Sequence, residues 1–122
     1  MTFSSLPDLT AVAISVNVAP NNAGSGNVYV IDGVQKSSLA LEVGKTYTFT
    51  HPTGHPLRFS ITSDGTHSEG GAYDTGGSEY TTGVITSTPG STVIEVTAST
   101  PTTLYYYCSI HSGMGGTITV SS

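Results

Sequence analysis

Cys108, His111 and Met114 stand at intervals of three in the run Cys108-Ser109-Ile110-His111-Ser112-Gly113-Met114. A thiolate, an imidazole and a thioether on one tight, glycine-containing loop can converge on a single point. The donor set is soft: thiolate and thioether favour copper, above all Cu(I), while imidazole suits both copper oxidation states. Zinc seldom takes a thioether, and a structural zinc site wants more thiolates than the one cysteine here can supply. A trigonal copper site needs a second imidazole, and His55 is the candidate, in Thr53-Gly54-His55-Pro56-Leu57-Arg58-Phe59. It sits just before a strand-like run, as a ligand delivered from a neighbouring loop at the same end of a β-sandwich should. Taken singly, each residue has a bland reading: a lone cysteine is usually buried and inert, a lone histidine a surface turn residue. The joint pattern is what points to a metal.

The segments that must position these donors are strands. Turn signals recur at Asn21 to Gly26, Asp32-Gly33, Val43-Gly44-Lys45, Asp64-Gly65, Gly76-Gly77, Pro89-Gly90 and Gly113 to Gly116. Between them lie short runs rich in β-branched and aromatic residues: Val12 to Val18, Val28 to Ile31, Leu39 to Val43, Thr46 to Thr50 and Leu57 to Ile61. Gly83 to Thr86, Thr92 to Val96, Thr103 to Cys108 and Thr117 to Val120 follow. Alternation is clean in Thr46-Tyr47-Thr48-Phe49-Thr50, which puts Tyr47 and Phe49 on one face. No segment holds a helical period over three turns. Strands at this spacing predict an all-β fold, a Greek-key antiparallel β-sandwich of eight or nine strands, in a single domain over residues 1–122. The Gly, Ser and Thr-rich stretch from Ser63 to Thr82 reads as a long polar loop. Its carboxylates lack the alternate spacing that wraps calcium.

Composition narrows the function. Only 9% of the 122 residues are charged, against about 25% in an ordinary soluble domain. Ser and Thr make up roughly 30%, a share that suits exposed β-structure. Three cations against eight acids, net charge −5, exclude a run of phosphate contacts and adhesion to an anionic bilayer. One cysteine excludes an internal disulfide framework. No apolar stretch approaches the roughly 20 residues of a membrane span. The run from Ala11 to Val16 lacks a cationic flank and alternates like a strand, so it is read as a strand and not as a signal peptide. An exported protein is then represented here by its mature form or by an excised module. No Gly-x-Ser-x-Gly elbow is present, and four histidines are too few for the additional centres of a copper oxidase, so the chain is read as a non-enzyme.

The whole pattern resembles the cupredoxin family, small blue-copper electron-transfer proteins with a Greek-key β-sandwich. In that family a mid-chain histidine supplies the first ligand, and one C-terminal loop supplies the cysteine, the second histidine and an axial methionine. The resemblance covers length, strand count, ligand order and ligand placement, and the short ligand loop is similar to the amicyanin type. Tyr29-Val30-Ile31-Asp32-Gly33-Val34 and Tyr106-Tyr107-Cys108-Ser109 also resemble cupredoxin-like modules of larger exported or virion-associated proteins. The resemblance implies one mononuclear copper site, with His55, Cys108 and His111 as equatorial ligands and Met114 as the long axial one. It further implies one-electron transfer through the His111 edge, across a flat end formed around Gly54, Pro56, Gly113 and Gly115. A redox partner basic at its docking face and an extracytoplasmic location (periplasmic, cell-surface or virion-associated) go with it. The alternative is a structural or interaction module that binds copper without shuttling electrons.

Two positions depart from the family pattern. Many cupredoxins carry Asn after the first histidine, tying the two ligand loops together; here Pro56 offers neither a side-chain donor nor an N–H, so that brace is replaced or missing. The residue before the second histidine is often Pro and here is Ile110. His51 and His67 are left over, and both are expected to face solvent.

Overall fold

In a computed structural model, residues 11–22, 24, 26–67 and 77–122 are described, and they form two packed sheets with no helix. The strands are β1 (Ala11–Pro20), β2 (Asn27–Ile31), β3 (Val34–Gln35), β4 (Leu39–Glu42), β5 (Thr46–Thr50) and β6 (Leu57–Ser60). They continue with β7 (Glu79–Tyr80), β8 (Val84–Ile85), β9 (Ser91–Glu95), β10 (Thr103–Cys108) and β11 (Gly116–Ser121). The six-stranded sheet runs β3-β2-β1-β5-β9-β8 and the five-stranded sheet β4-β11-β10-β6-β7. The expected all-β sandwich is the fold found. The strands beyond the nine expected runs are the two-residue β3 and β7, too short to show any alternation.

Pairing directions depart from the expectation of a purely antiparallel sandwich. β1 pairs with β5 in parallel, Ala11 opposite Thr46, and β4 pairs with β11 in parallel, Ile118 opposite Leu39. Parallel neighbours need a crossover, and here strands of the opposite layer supply it: the chain leaves β1, passes β2 and β3, crosses to β4, and returns as β5. Alternation tells a strand which face to bury but not the direction of its partner. The connection from β2 to β3 is local chemistry. Val30 pairs with Gln35 and Ile31 with Val34, leaving Asp32-Gly33 as a two-residue loop with φ of 52° and 77°. Those left-handed angles define a type I′ hairpin, for which Asp-Gly is a favoured pair.

Inward residues of both sheets make one core. Along β5, Tyr47 and Phe49 are buried between outward threonines, as the period of two requires. Phe49 meets Phe59 of the opposite sheet edge to face, with centroids 5.4 Å apart, and Tyr29 meets Tyr106 at 6.1 Å. Each of those buried tyrosines finds an acceptor, as an apolar layer demands. Tyr106 donates its hydroxyl to the Ser37 carbonyl at 2.6 Å, and Tyr29 donates to the His55 carbonyl at 2.6 Å. Among the described residues no helix is long and apolar enough to cross a membrane. Of the long polar loop from Ser63 to Thr82, residues 68–76, with Glu69 and Asp74, lie outside the described residues, as do the first ten residues.

Candidate metal centre

Strand pairing does the first part of the assembly. β10 lies antiparallel to β6 with Cys108 opposite Leu57, so the chain just before Leu57 must lie beside the end of β10. The ladder continues one step further: the Ser109 N–H donates to the Pro56 carbonyl at 3.0 Å. Residues 52–55 then turn back on themselves, with the His55 N–H donating to the Pro52 carbonyl at 3.1 Å. This turn aims the His55 ring at Cys108.

On the other side of Cys108 the loop from Ser109 to Gly115 closes sharply and re-enters the sheet as β11. Gly115 lies against β10 so closely that a Cβ there would fall inside the van der Waals shell of the Tyr106 carbonyl. Only glycine fits this return, and the return brings Met114 into the core, 0% exposed.

The donor atoms converge. Cys108 Sγ lies 3.6 Å from His111 Nδ1 and 4.0 Å from His55 Nδ1, and one donor atom from each of the three residues lies within 4.8 Å of the others. The two imidazole centroids are 4.8 Å apart. Both rings turn Nδ1 inward, leaving Nε2 for the outer side. Metal–nitrogen bonds of about 2.0 Å and metal–sulfur bonds of about 2.3 Å, set between tetrahedral and trigonal angles, put sulfur and nitrogen about 3.5–3.7 Å apart. The Cys108–His111 separation of 3.6 Å falls in that range and the Cys108–His55 separation of 4.0 Å lies just beyond it, a spacing that suits a first-row transition ion. One cysteine sulfur and a buried thioether bordering the cavity make copper the better match within that row.

Burial divides the set. Cys108 and Met114 are fully buried, His55 is half-buried and His111 is exposed. Met114 borders the same cavity, about 460 Å³, as His55 and His111, with Gly26, Asn27, Ile110 and Ser112. His55 and His111 therefore border a recess between the ligand loop and Gly26-Asn27. Ile110, 60% exposed, stands on its rim in the position just before His111.

A second layer of contacts holds the ligand loop. The Gly113 N–H donates to both carboxylate oxygens of Asp64 at 2.9 Å. His67 Nε2 lies 2.7 Å from the Cys108 carbonyl, so its ring N–H donates to that oxygen. The His67 ring also meets Tyr107 edge to face at 6.0 Å. Tyr29 reaches both ligand segments: its N–H donates to the Met114 carbonyl at 3.0 Å and its hydroxyl to the His55 carbonyl. Burial, and after it the charge of a neighbouring Cys108 thiolate, pushes the Tyr29 phenol far above its ordinary range. It is a permanent donor.

The two remaining histidines correct the expectation of solvent exposure. His51 is buried at 7% exposure, with Nδ1 2.9 Å from the Pro52 carbonyl and Nε2 3.0 Å from the Thr92 hydroxyl. It continues the inward series Tyr47, Phe49, His51, a signal the alternation already carried. His67 is half-buried and bound to the cysteine carbonyl, which nothing local in sequence announces. Neither contributes to the donor cluster.

No family model matches the chain, and no curated protein matches it. Among solved structures, rusticyanin from Thiobacillus ferrooxidans, a cupredoxin, is similar at 17% identity over 91% of this chain and 77% of that one, with a TM-score of 0.49. Reduced rusticyanin gives 17% identity and a TM-score of 0.47 over 93% of this chain and 81% of that one. Likenesses at this level add no weight to the site, whose support is its own geometry. By that geometry the chain is a two-sheet β-sandwich with one histidine, His55, on a mid-chain turn and Cys108, His111 and Met114 on one late loop.

Proposed function

We propose that this protein is a type 1 copper carrier of single electrons, holding one copper ion with His55, Cys108, His111 and Met114. One observation carries the reading. Nδ1 atoms of two histidines, from segments far apart in the chain, face one buried cysteine sulfur at 3.6 and 4.0 Å, and a buried methionine borders the same cavity as the two imidazoles. Copper bound there supplies the exchange of one electron between two oxidation states. The chain's own residues supply everything else. Full burial keeps water from Cys108 and Met114, so the sulfur side of the site stays dry. Hydrogen bonds from Tyr29, and to Asp64, hold the loops in one arrangement, which keeps the donors from moving as charge changes. His111 is the exposed donor and so the point of electron entry and exit.

The net charge of −5 suits a partner with a basic docking face and an association rate that falls with salt. An extracytoplasmic location, as a periplasmic, cell-surface or virion-associated domain, fits the same reading, as does a role as carrier and not as catalyst.

Voltammetry of the copper-loaded protein tests electron transfer. A single reversible one-electron wave, with transfer to a basic partner slowing as salt rises, is expected. Copper bound without a reversible wave would leave the domain a structural or interaction module.

A further inference from the structure

We propose that Tyr29 is the positioning residue that ties the His55 turn to the Met114 end of the ligand loop, in place of the side-chain brace that Pro56 cannot provide. The inference rests on the copper reading for its consequence in the holoprotein, and on hydrogen bonds for its substance.

Tyr29 belongs to the six-stranded sheet, opposite Val18 of β1, while all four candidate ligands are carried by the other sheet's strands and the loops at their ends. It is 0% exposed, its ring packs on Tyr106, and its carbonyl accepts the Lys36 N–H at 2.9 Å, so its backbone is anchored on the hairpin side. From that anchor it makes two donations of different kinds. The backbone N–H reaches the Met114 carbonyl and the hydroxyl reaches the His55 carbonyl. The Ser109–Pro56 bond already links the Cys108 side to the His55 side, but as an extension of the β6–β10 ladder it does not touch Met114. Through Tyr29, the spacing of the His55 carbonyl from the Met114 carbonyl is set by one buried residue.

Phe in place of Tyr29 keeps the ring and removes the hydroxyl, freeing the His55 carbonyl while leaving the Met114 carbonyl held. Partners of this outer kind typically change metal affinity by 10–100-fold. In Tyr29→Phe, copper release to a chelator is expected to rise about tenfold. The intensity ratio of the thiolate bands and the reduction potential should change with it. Tyr106→Phe is the control, since it removes an equally buried hydroxyl, bonded to Ser37 and not to a ligand segment. It should lower stability while leaving spectrum, potential and release rate unchanged. Equal effects of the two variants on those three readouts, or none from Tyr29→Phe, would overturn the proposal. A metal-free arm separates this from the copper reading: NMR of the apoprotein should show the His55 ring resonances broadened or shifted in Tyr29→Phe alone. Unchanged His55 resonances in that arm overturn the brace even if the parent protein takes up no copper.

Discussion

Cys108 and Met114 are sealed in the core, whereas His55 is half-buried and His111 stands in solvent beside the recess. The two halves of one donor set are built by different means. The sulfur half is made by the fold: Cys108 is the last residue of a central strand, and Met114 is drawn inward by a return that only Gly115 permits. The imidazole half is made by turns and by hydrogen bonds to carbonyls, as where the Pro52–His55 turn and the Tyr29 hydroxyl hold His55. A change in the sulfur half should therefore register first as lost stability, and a change in the imidazole half as lost metal.

Gly115→Ala probes the sulfur half most severely. The new methyl collides with backbone that cannot move away, and overpacking against a strand costs about 3 kcal/mol or more. Urea unfolding of the metal-free variant should show that loss, and a midpoint equal to the parent's would mean that the return is not built as described. Alkali is the next largest probe. Burial raises the phenols of Tyr29 and Tyr106 above their ordinary value of about 10, so the folded state holds those protons more tightly than the unfolded one. Their contribution is complete below about pH 10 and is lost as pH rises further, at up to about 1.4 kcal/mol per pH unit for each phenol. Unfolding free energy measured from pH 9 upward should bend downward above pH 10, and a flat profile would contradict the buried pair. His111→Ala is the smallest of the three for the fold. The ring is exposed, so stability should stay within about 0.5 kcal/mol. Copper affinity, in contrast, should fall by more than the roughly 100-fold that marks the loss of an outer partner. An unaltered affinity would remove His111 from the site.

The same division separates what the amino-acid sequence reveals from what it conceals. Cys108, His111 and Met114 are legible because their spacing is local, and a short loop brings them together whatever the rest of the chain does. His55 is legible through its place before a strand and through the resemblance to a family in which the first histidine comes from mid-chain. The sandwich follows from alternation and turn residues, with the Asp32-Gly33 turn among them, although the two-residue β3 it leads into is not legible. Contacts between segments with no shared pattern are not legible. The apolar run of β2 marks Tyr29 as a core residue but does not say that its hydroxyl ends on His55. Nothing near His67 or Asp64 announces a bond to the Cys108 carbonyl or the Gly113 amide. The parallel pairs β1–β5 and β4–β11 escape for the same reason, since partner direction is a property of the whole chain path.

The copper reading requires one buried cysteine sulfur and two imidazoles to hold a single copper ion. Cu(II) titrated into the purified protein and followed in the visible range is the decisive experiment. An intense thiolate-to-copper absorption is expected, saturating at one copper per chain and absent in Cys108→Ala. A protein that stays colourless, or a band that survives the loss of Cys108, would contradict the copper site.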